Sequence, residues 1–356
     1  MSWDEIQGHD SIVASFRQAV TRGRLASTFL FVGPEAIGKK KFALQLAQSL
    51  LCETNEESVL ESCGTCDACL QVKAGSHPDL LFLQKPAGKS RIPVELLIGE
   101  RKNRMRQGLC YDITLRSFCG GRKVAIIDDA DYLNQEGANC LLKTLEEPPL
   151  GSVIILISRN LQSQLPTIRS RSQIIRFSPL PTEVVSKLLI ENQLVDSQAE
   201  AEQLASLGNG SLLQAKKLAD VELREFRSTL LGTLSRNDFA SVAISKLTVE
   251  FVDQAGKDAS KRRERLSDIV SFAREFFQHL LHCTTGQNRQ VDAVLETNAV
   301  KALKFVEDRP EALICCLDRC IEAQAQIEAN ANLTSLTDAW FDDLSTALRF
   351  GYVVKA

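Results

Sequence analysis

The amino-acid sequence predicts an α/β protein whose first part is a parallel sheet with flanking helices and whose last part is all-helical. Short apolar runs of the kind found in buried strands, together with a glycine-rich loop after the first run, predict the sheet. Apolar residues at helical spacing, with no further strand runs beyond about residue 222, predict the helical part.

The composition is that of a soluble globular protein. The chain has 356 residues, 44% hydrophobic and 24% charged, which is enough for two or three domains. Its net charge of −3 gives no overall attraction to nucleic acid, so contact with DNA would need a local patch or a partner. We expect no membrane segment and a cytoplasmic location, because no apolar run approaches about 20 residues and the N-terminus is acidic.

The first strand run, residues 29–32, leads into a phosphate-binding loop that departs from the full pattern. Gly33, Gly38 and Lys39 match G-x-x-x-x-G-K-[ST], whose backbone N–H groups cradle phosphates and whose last residue holds Mg²⁺. Lys40 stands where that hydroxyl belongs, and a cation cannot ligate a metal ion. A helical pattern follows, as such a loop requires. The alternative is a Gly-Pro turn before a lysine-rich first helical turn.

Four cysteines with the spacing C-x10-C-x2-C-x2-C predict a structural zinc module. Four thiolates close a tetrahedral shell, and Gly64 suits a tight knuckle between two of them. The alternatives are free cysteines on a polar loop or a redox pair. The candidate ligands are Cys52, Cys63, Cys66 and Cys69. Burial as small apolar groups is the better interpretation for most of the rest, which are Cys110, Cys119, Cys140, Cys283, Cys315, Cys316 and Cys320.

A second strand run, residues 124–127, ends in acidic residues. Asp128 is placed to reach Mg²⁺, as a carboxylate at the tip of such a strand does in phosphate-loop ATPases. Asp129 would then have to activate water with a side chain one methylene shorter than the usual Glu, although a general base must come within hydrogen-bond reach of its water.

Two motifs further along the chain identify a family. The runs Leu-Leu-Lys-Thr-Leu-Glu-Glu-Pro-Pro (141–149) and Leu-Pro-Thr-Ile-Arg-Ser-Arg (165–171), on either side of a strand run at 153–157, resemble the bacterial clamp-loader subunits of DNA polymerase III, members of the AAA+ superfamily. The resemblance implies that Arg171 acts in trans, as an arginine finger on ATP held by a neighbouring subunit. The alternative is a salt-bridging arginine before the strand run at 174–177, and Arg169 is expected to be positional.

Within this family the chain resembles the delta-prime branch more than the ATP-hydrolysing gamma/tau branch. The resemblance covers residues 5–220, and both branches carry the four-cysteine module. Three positions needed for hydrolysis depart together: Lys40, Asp129 and Gln214, which replaces an arginine of the lid. Survival of Gly33, Gly38 and Lys39 leaves open whether this degenerate site still binds nucleotide.

The expected organisation has three domains. Residues 1–178 form an AAA+ phosphate-loop domain with the zinc module inserted at 52–69, residues 179–221 form a small helical lid, and residues 222–356 form a helical collar for oligomerisation.

The resemblance implies a non-hydrolysing stator of the clamp loader in DNA replication. The implied partners are gamma/tau and delta subunits, with the sliding clamp and primed DNA contacted mainly through the assembly. One alternative is an active gamma/tau-type ATPase that tolerates Lys40. Another is a nucleic-acid-binding module acting through the zinc insertion and the basic cluster at 101–106, although a solvated helix face is the preferred interpretation of that cluster.

Overall fold

The computed structural model describes residues 3–86, 89, 91–104, 106–208, 210–256, 258–286 and 291–351. The chain divides into two compact units, Met1–Ala215 and Lys216–Ala356. The predicted domain boundaries at residues 178 and 221 stay predictions.

The first unit contains a five-stranded sheet in which every pairing is parallel, in the order β2-β3-β4-β1-β5. The strands are β1 (Thr28–Val32), β2 (Leu80–Leu83), β3 (Lys123–Ile127), β4 (Ser152–Ser158) and β5 (Gln173–Arg176). The four predicted strand runs are confirmed. Strand β2 was not predicted, because it is a four-residue edge strand whose middle residues are only partly buried and no motif follows it.

Among the described residues, ten α-helices precede residue 219. They are α1 (Asp10–Thr21), α2 (Lys39–Leu50), α3 (Asp67–Ala74), α4 (Glu95–Ile98), α5 (Leu109–Asp112), α6 (Gln135–Glu146), α7 (Pro166–Ser170), α8 (Thr182–Glu191), α9 (Gln198–Leu207) and α10 (Leu212–Leu218). Helix α6 ends immediately before the paired prolines, as predicted, because proline disfavours helical backbone in the residue before it.

Strand β1 lies between β4 and β5 and is buried on both faces of the sheet, which explains its continuous apolar sequence. Leu30 belongs to an aliphatic cluster on one face. Phe31 lies on the other face, with ring centroids 5.1 Å from Phe177 and 5.7 Å from Phe42. The aromatic residues therefore fix strand β1 against helix α2, the two elements that flank the glycine-rich loop.

The second unit is all-helical among its described residues. Its helices are α11 (Val221–Leu234), α12 (Ser241–Asp253), α13 (Ala259–Thr284), α14 (Ala293–Val306), α15 (Pro310–Glu328) and α16 (Leu333–Phe350). Helix α13 contributes Phe276 and Phe277, and α16 contributes Trp340 and Phe341, to one fully buried core. Of all the helices in the described ranges, none combines the length and apolarity needed to cross a bilayer. The structure confirms the predicted α/β fold class, with a parallel sheet and flanking helices followed by helical parts.

Candidate functional site

The glycine-rich loop has the backbone geometry of a phosphate cradle. A Cβ atom on Gly33 would lie 2.4 Å from the carbonyl oxygen of Phe177, so only glycine fits there. Gly38 has φ +98°, a left-handed conformation that favours glycine, and it immediately precedes helix α2. The loop thus places the N-terminus of a 12-residue helix at the carboxyl ends of the parallel strands.

Lys39 is turned back onto its own loop. Its Nζ donates to the carbonyl oxygen of Gly33 at 2.5 Å and also to that of Pro34, and the residue is only 7% exposed. Burial lowers the pKa of Lys39 to about 8, against the opposing attraction of Glu35. The ammonium is therefore held at the cradle, where burial disfavours its charged form.

Lys40 lies beside the carboxylate that sequence analysis assigned to Mg²⁺. Its Nζ lies 3.3 Å from Asp128 Oδ2 and donates to Gln84 Oε1 at 2.8 Å. The same ammonium lies 4.7 Å from the centre of the Phe82 ring. Three groups, one in β2 and two just after the ends of β2 and β3, thus hold the cation where a metal ligand would stand in the full loop pattern.

Asp129 sits in a strained turn directly after strand β3. Its φ is +57°, unusual for a residue with a side chain, and its N–H donates to Asp128 Oδ1 at 3.0 Å. Burial, and next the neighbouring charge of Asp128, raise the pKa of Asp129. A raised pKa makes this carboxyl group easier to protonate.

Five of the predicted residues line one cavity of about 600 Å³, namely Gly38, Lys39, Lys40, Asp128 and Asp129. Gly33 is not among the lining residues, and other residues that the sequence analysis missed line the cavity too. Arg159 Nε lies 3.1 Å from Glu35 Oε1, and the Arg159 N–H donates to Asp131 Oδ2 at 2.8 Å. Arg159 follows strand β4 directly, and its place at the carboxyl end of a parallel strand was the signal that could have identified it.

The lid segment contacts the loop through a serine. Ser211 Oγ donates to the backbone oxygen of Glu35 at 3.0 Å, and Leu213 lines the cavity. Gln214 is exposed and is not among the cavity-lining side chains, while Asn209 of the same sequence motif lies outside the described residues.

Arg171 lies outside this cavity and has a partner of its own. It directly follows helix α7, and its Nη2 lies 2.7 Å from Glu146 Oε1, at the end of α6. Its Nη1 also donates to the Thr167 carbonyl oxygen at 3.1 Å. The side chain is 33% exposed, so it remains accessible from solvent.

The four cysteines of the predicted zinc module converge and could bind a metal ion. Their sulfur atoms all lie within 4.8 Å of one another. The Sγ–Sγ distance is 4.0 Å for Cys52 and Cys66, and 3.9 Å for Cys63 and Cys69, about twice the length of a disulfide bond. A tetrahedral zinc ion with Zn–S bonds of about 2.3 Å requires sulfur atoms about 3.8 Å apart, so the spacing fits.

Backbone groups orient these sulfur atoms. The N–H groups of Cys66 and Cys69 donate to the sulfurs of Cys63 and Cys66 at 3.3 and 3.4 Å. A hydrogen bond from the Thr54 side chain, with others from the backbone, lowers the pKa of the Cys63 thiol to about 5. Such donors favour thiolate, the form that binds metal.

The other cysteines are more varied than predicted. Cys110, Cys316 and Cys320 are buried, but Cys119 is exposed. Cys140, Cys283 and Cys315 are intermediate. None of the cysteines is in a disulfide bond in the part of the chain that the structure describes.

The preferred interpretation of the basic cluster at 101–106 was wrong. Its residues form a 3₁₀ turn (Arg101–Asn103) and an irregular segment between the short helices α4 and α5, not one face of a longer helix. Gly99 and Gly108 interrupt the helix with φ of +81° and +90°. Met105 lies outside the described residues.

Comparison with known proteins places this arrangement in a family. The family model described as "DNA polymerase III, delta subunit" matches residues 8–181. The DNA polymerase III subunit delta-prime of Pseudomonas aeruginosa is 33% identical over 235 residues, which are 66% of this chain and 68% of that protein. The delta-prime subunit of Bacillus subtilis is 30% identical over 232 residues, or 65% of this chain and 66% of that one.

More distant similarities extend to other proteins. The DNA polymerase III subunit tau of Escherichia coli is 27% identical over 250 residues, covering 67% of this chain and 37% of that one. The solved structure of the Thermotoga maritima RuvB Holliday junction branch migration motor has a TM-score of 0.40 at 15% identity, covering 86% of this chain and 87% of that one. The delta-prime relatives are the more similar in sequence, and the chain therefore belongs to the DNA polymerase III delta-prime subunit family.

Proposed function

We propose that this chain is a non-hydrolysing stator of the bacterial clamp loader, acting in the cytoplasm during DNA replication. It assembles with gamma/tau and delta subunits, and the sliding clamp and primed DNA are contacted mainly through that assembly. Its own nucleotide site is inactive, while Arg171 completes the ATP site of a neighbouring subunit.

The contact between Lys40 and Asp128 carries the first half of this proposal. A metal ion at the phosphate loop needs an oxygen ligand from the loop and access to the acidic strand tip. Here an ammonium 3.3 Å from the Asp128 carboxylate occupies that approach. The positive charge of the Lys40 ammonium would repel Mg²⁺ from this position.

Two further features support an inactive site. Asp129 has a side chain one methylene shorter than the usual Glu, so its carboxylate reaches less far towards an attacking water. Gln214 is neutral and exposed, so the lid offers no cation there to offset phosphate charge. The cavity beside the phosphate loop is still present, and this is compatible with a site that binds nucleotide without hydrolysing it.

The second half rests on the position of Arg171. Its guanidinium is partly exposed, lies outside its own cavity and pairs with Glu146 at 2.7 Å. A half-exposed ion pair of this kind contributes about 0–1 kcal/mol, so the arginine can exchange Glu146 for a phosphate at low cost. Arginine near a γ-phosphate stabilises the charge of the transition state.

The cysteine cluster supports a structural zinc ion held by Cys52, Cys63, Cys66 and Cys69. Four thiolates leave no open position on the metal, so the ion would stabilise the fold without taking part in catalysis.

Steady-state ATP hydrolysis by the purified chain, with Mg²⁺ and with primed DNA, tests the inactive site. We expect no turnover; clear Mg²⁺-dependent turnover would instead make this chain an active ATPase of the gamma/tau type.

The arginine finger is tested in the assembled loader with Arg171→Ala, and with Arg169→Ala as the matched control from the same motif. Loss of Arg171 should slow single-turnover hydrolysis at the neighbouring site about 10³-fold or more without preventing assembly. Equal rates for the two variants would refute the role of Arg171.

A further inference from the structure

The sulfur atoms of the four-cysteine cluster lie in two close pairs that share no member. One pair is Cys52 and Cys66, with sulfurs 4.0 Å apart, and the other is Cys63 and Cys69, with sulfurs 3.9 Å apart. Cys66 is the N-cap of helix α3, and Cys69 lies in the first turn of that helix. Each pair therefore joins one cysteine from a loop to one cysteine from the start of α3, and the two pairs can react independently.

The two loop cysteines have room to move towards helix α3. A disulfide bond needs sulfur atoms about 2.0 Å apart, so each sulfur of a pair has to shift by about 1 Å. Cys52 follows the end of helix α2 at Leu50. Gly64, directly after Cys63, has φ +74°, and a Cβ placed on it would meet no atom within 4 Å beyond its chain neighbours. Rotation of the loop side chains can supply this shift while α3 stays in place.

Solvent reaches the cluster. Three of its four cysteines are partly exposed, and only Cys69 is buried. Hydroxyl groups adjoin one of the loop sulfurs: Thr54 Oγ1 lies 3.5 Å from Cys63 Sγ, and Thr65 Oγ1 lies 3.7 Å from it. A small polar oxidant can therefore approach the Cys63 sulfur through polar surroundings.

The charge around the cluster disfavours a zinc–thiolate centre relative to disulfide bonds. Residues 42–72 include five acidic residues and no basic residue. Only two of these acids have an arginine partner among the described ion pairs, Glu57 with Arg122 and Glu61 with Arg17. Four thiolates on one zinc ion leave an excess of negative charge, whereas disulfides are neutral. The neighbouring carboxylates repel the zinc–thiolate centre and so favour its oxidation.

We infer that the four-cysteine cluster is a redox-responsive site: a hydroperoxide converts the zinc–thiolate centre into two disulfide bonds, Cys52–Cys66 and Cys63–Cys69, and zinc is released. The inference rests on the zinc ion of the proposed function. It goes beyond that function, because a purely structural centre would have one state and this site has two.

The chemistry balances with hydrogen peroxide as the oxidant. A loop thiolate attacks one peroxide oxygen, the O–O bond breaks, and a sulfenic acid forms while hydroxide leaves and takes up a proton. The paired thiolate then attacks the sulfenic sulfur, the S–O bond breaks, and the second oxygen leaves as hydroxide and is protonated to water. Each disulfide thus consumes one peroxide and two protons and yields two waters. Two disulfides remove all four zinc ligands.

The test is titration of the zinc-loaded full chain with hydrogen peroxide. A chromogenic chelator reads zinc release, and alkylation in denaturant counts the remaining thiols. We expect about two peroxides to be consumed per zinc released, one for each disulfide. The alkylated cysteines should fall from eleven to seven, because four of the eleven enter disulfides. Dithiothreitol with added zinc should restore both the metal and the thiol count.

Peptide mapping without reduction decides the connectivity, since four cysteines allow three pairings. Only the pairing Cys52–Cys66 with Cys63–Cys69 agrees with the inference. Cys119→Ser is the matched control, because Cys119 is exposed and lies outside the cluster. It should release zinc at the same peroxide consumption as the unaltered chain.

Three results would overturn the inference: zinc retained while other cysteines oxidise, either of the other two pairings, or sulfinic acids in place of disulfides. A chain purified without zinc would refute the zinc proposal and the inference with it. Zinc that is present but retained throughout oxidation would refute the inference alone.

Discussion

Under the proposed function, in which Lys40 excludes Mg²⁺, replacing Lys40 by Ser should yield a phosphate loop that accepts Mg²⁺, at little cost in stability. The Lys40–Asp128 distance of 3.3 Å corresponds to a Coulomb attraction of about 5 kcal/mol at an effective dielectric constant of about 20. Lys40 is 46% exposed, so screening and desolvation leave about 0–1 kcal/mol. For a unit of this size, Lys40→Ser should therefore lower Tm by less than about 4 °C.

The functional change should be larger. Serine supplies the missing hydroxyl ligand and frees the Asp128 carboxylate, so ATP affinity should become at least about tenfold higher with Mg²⁺ than with EDTA, equivalent to about 1.4 kcal/mol. Fluorescent-nucleotide titration measures this ratio. Lys41→Ser is the matched control, because Lys41 is also 46% exposed and pairs with Glu5 instead. Mg²⁺-dependent binding by the unaltered chain, or none by Lys40→Ser, would refute the reasoning.

Three further predictions concern stability. Asp79 is fully buried and accepts hydrogen bonds from Ser117 Oγ and the N–H groups of Phe118 and Cys119 at 2.8–3.0 Å. Asp79→Asn should cost about 1–3 kcal/mol in urea denaturation, whereas the exposed Asp238→Asn should cost almost nothing. Because burial lowers the pKa of Lys39 from its ordinary value of 10.5 to about 8, the unfolded chain binds more protons than the folded chain between these pH values. Stability should therefore rise by about 3 kcal/mol from pH 8 to 10.5, and Lys39→Met should abolish that rise. Cys66→Ser should remove bound zinc, measured by native mass spectrometry, and lower Tm, whereas Cys119→Ser should retain the metal; zinc retained by Cys66→Ser would contradict the assignment.

The features that could be predicted from the sequence are those that depend on residues close together in the chain. The glycine loop, the cysteine spacing and the strand ends at Asp128 each depend on neighbours in the chain, and each appeared in the structure. Arg159 and Glu35 were missed because their pairing depends on how strand β4 is placed beside the loop. The basic cluster was expected to be a solvated helix face, but Gly99 and Gly108, with positive φ values, interrupt the helix on either side of it. Which residue Arg171 contacts within its own chain was also beyond local reasoning.

Helix α2 runs from the phosphate loop at its N-terminus to the cysteine cluster near its C-terminus. It begins at Lys39, and near its far end the Gln48 side chain donates to the Cys69 carbonyl oxygen at 2.9 Å. Twelve residues of α-helix span about 18 Å. With zinc at the proposed site, loss of the ion would loosen the last turn of the same helix whose first turn shapes the phosphate loop. Metal binding at one end would then affect the loop at the other through the backbone of helix α2, with no ligand passing between the two sites.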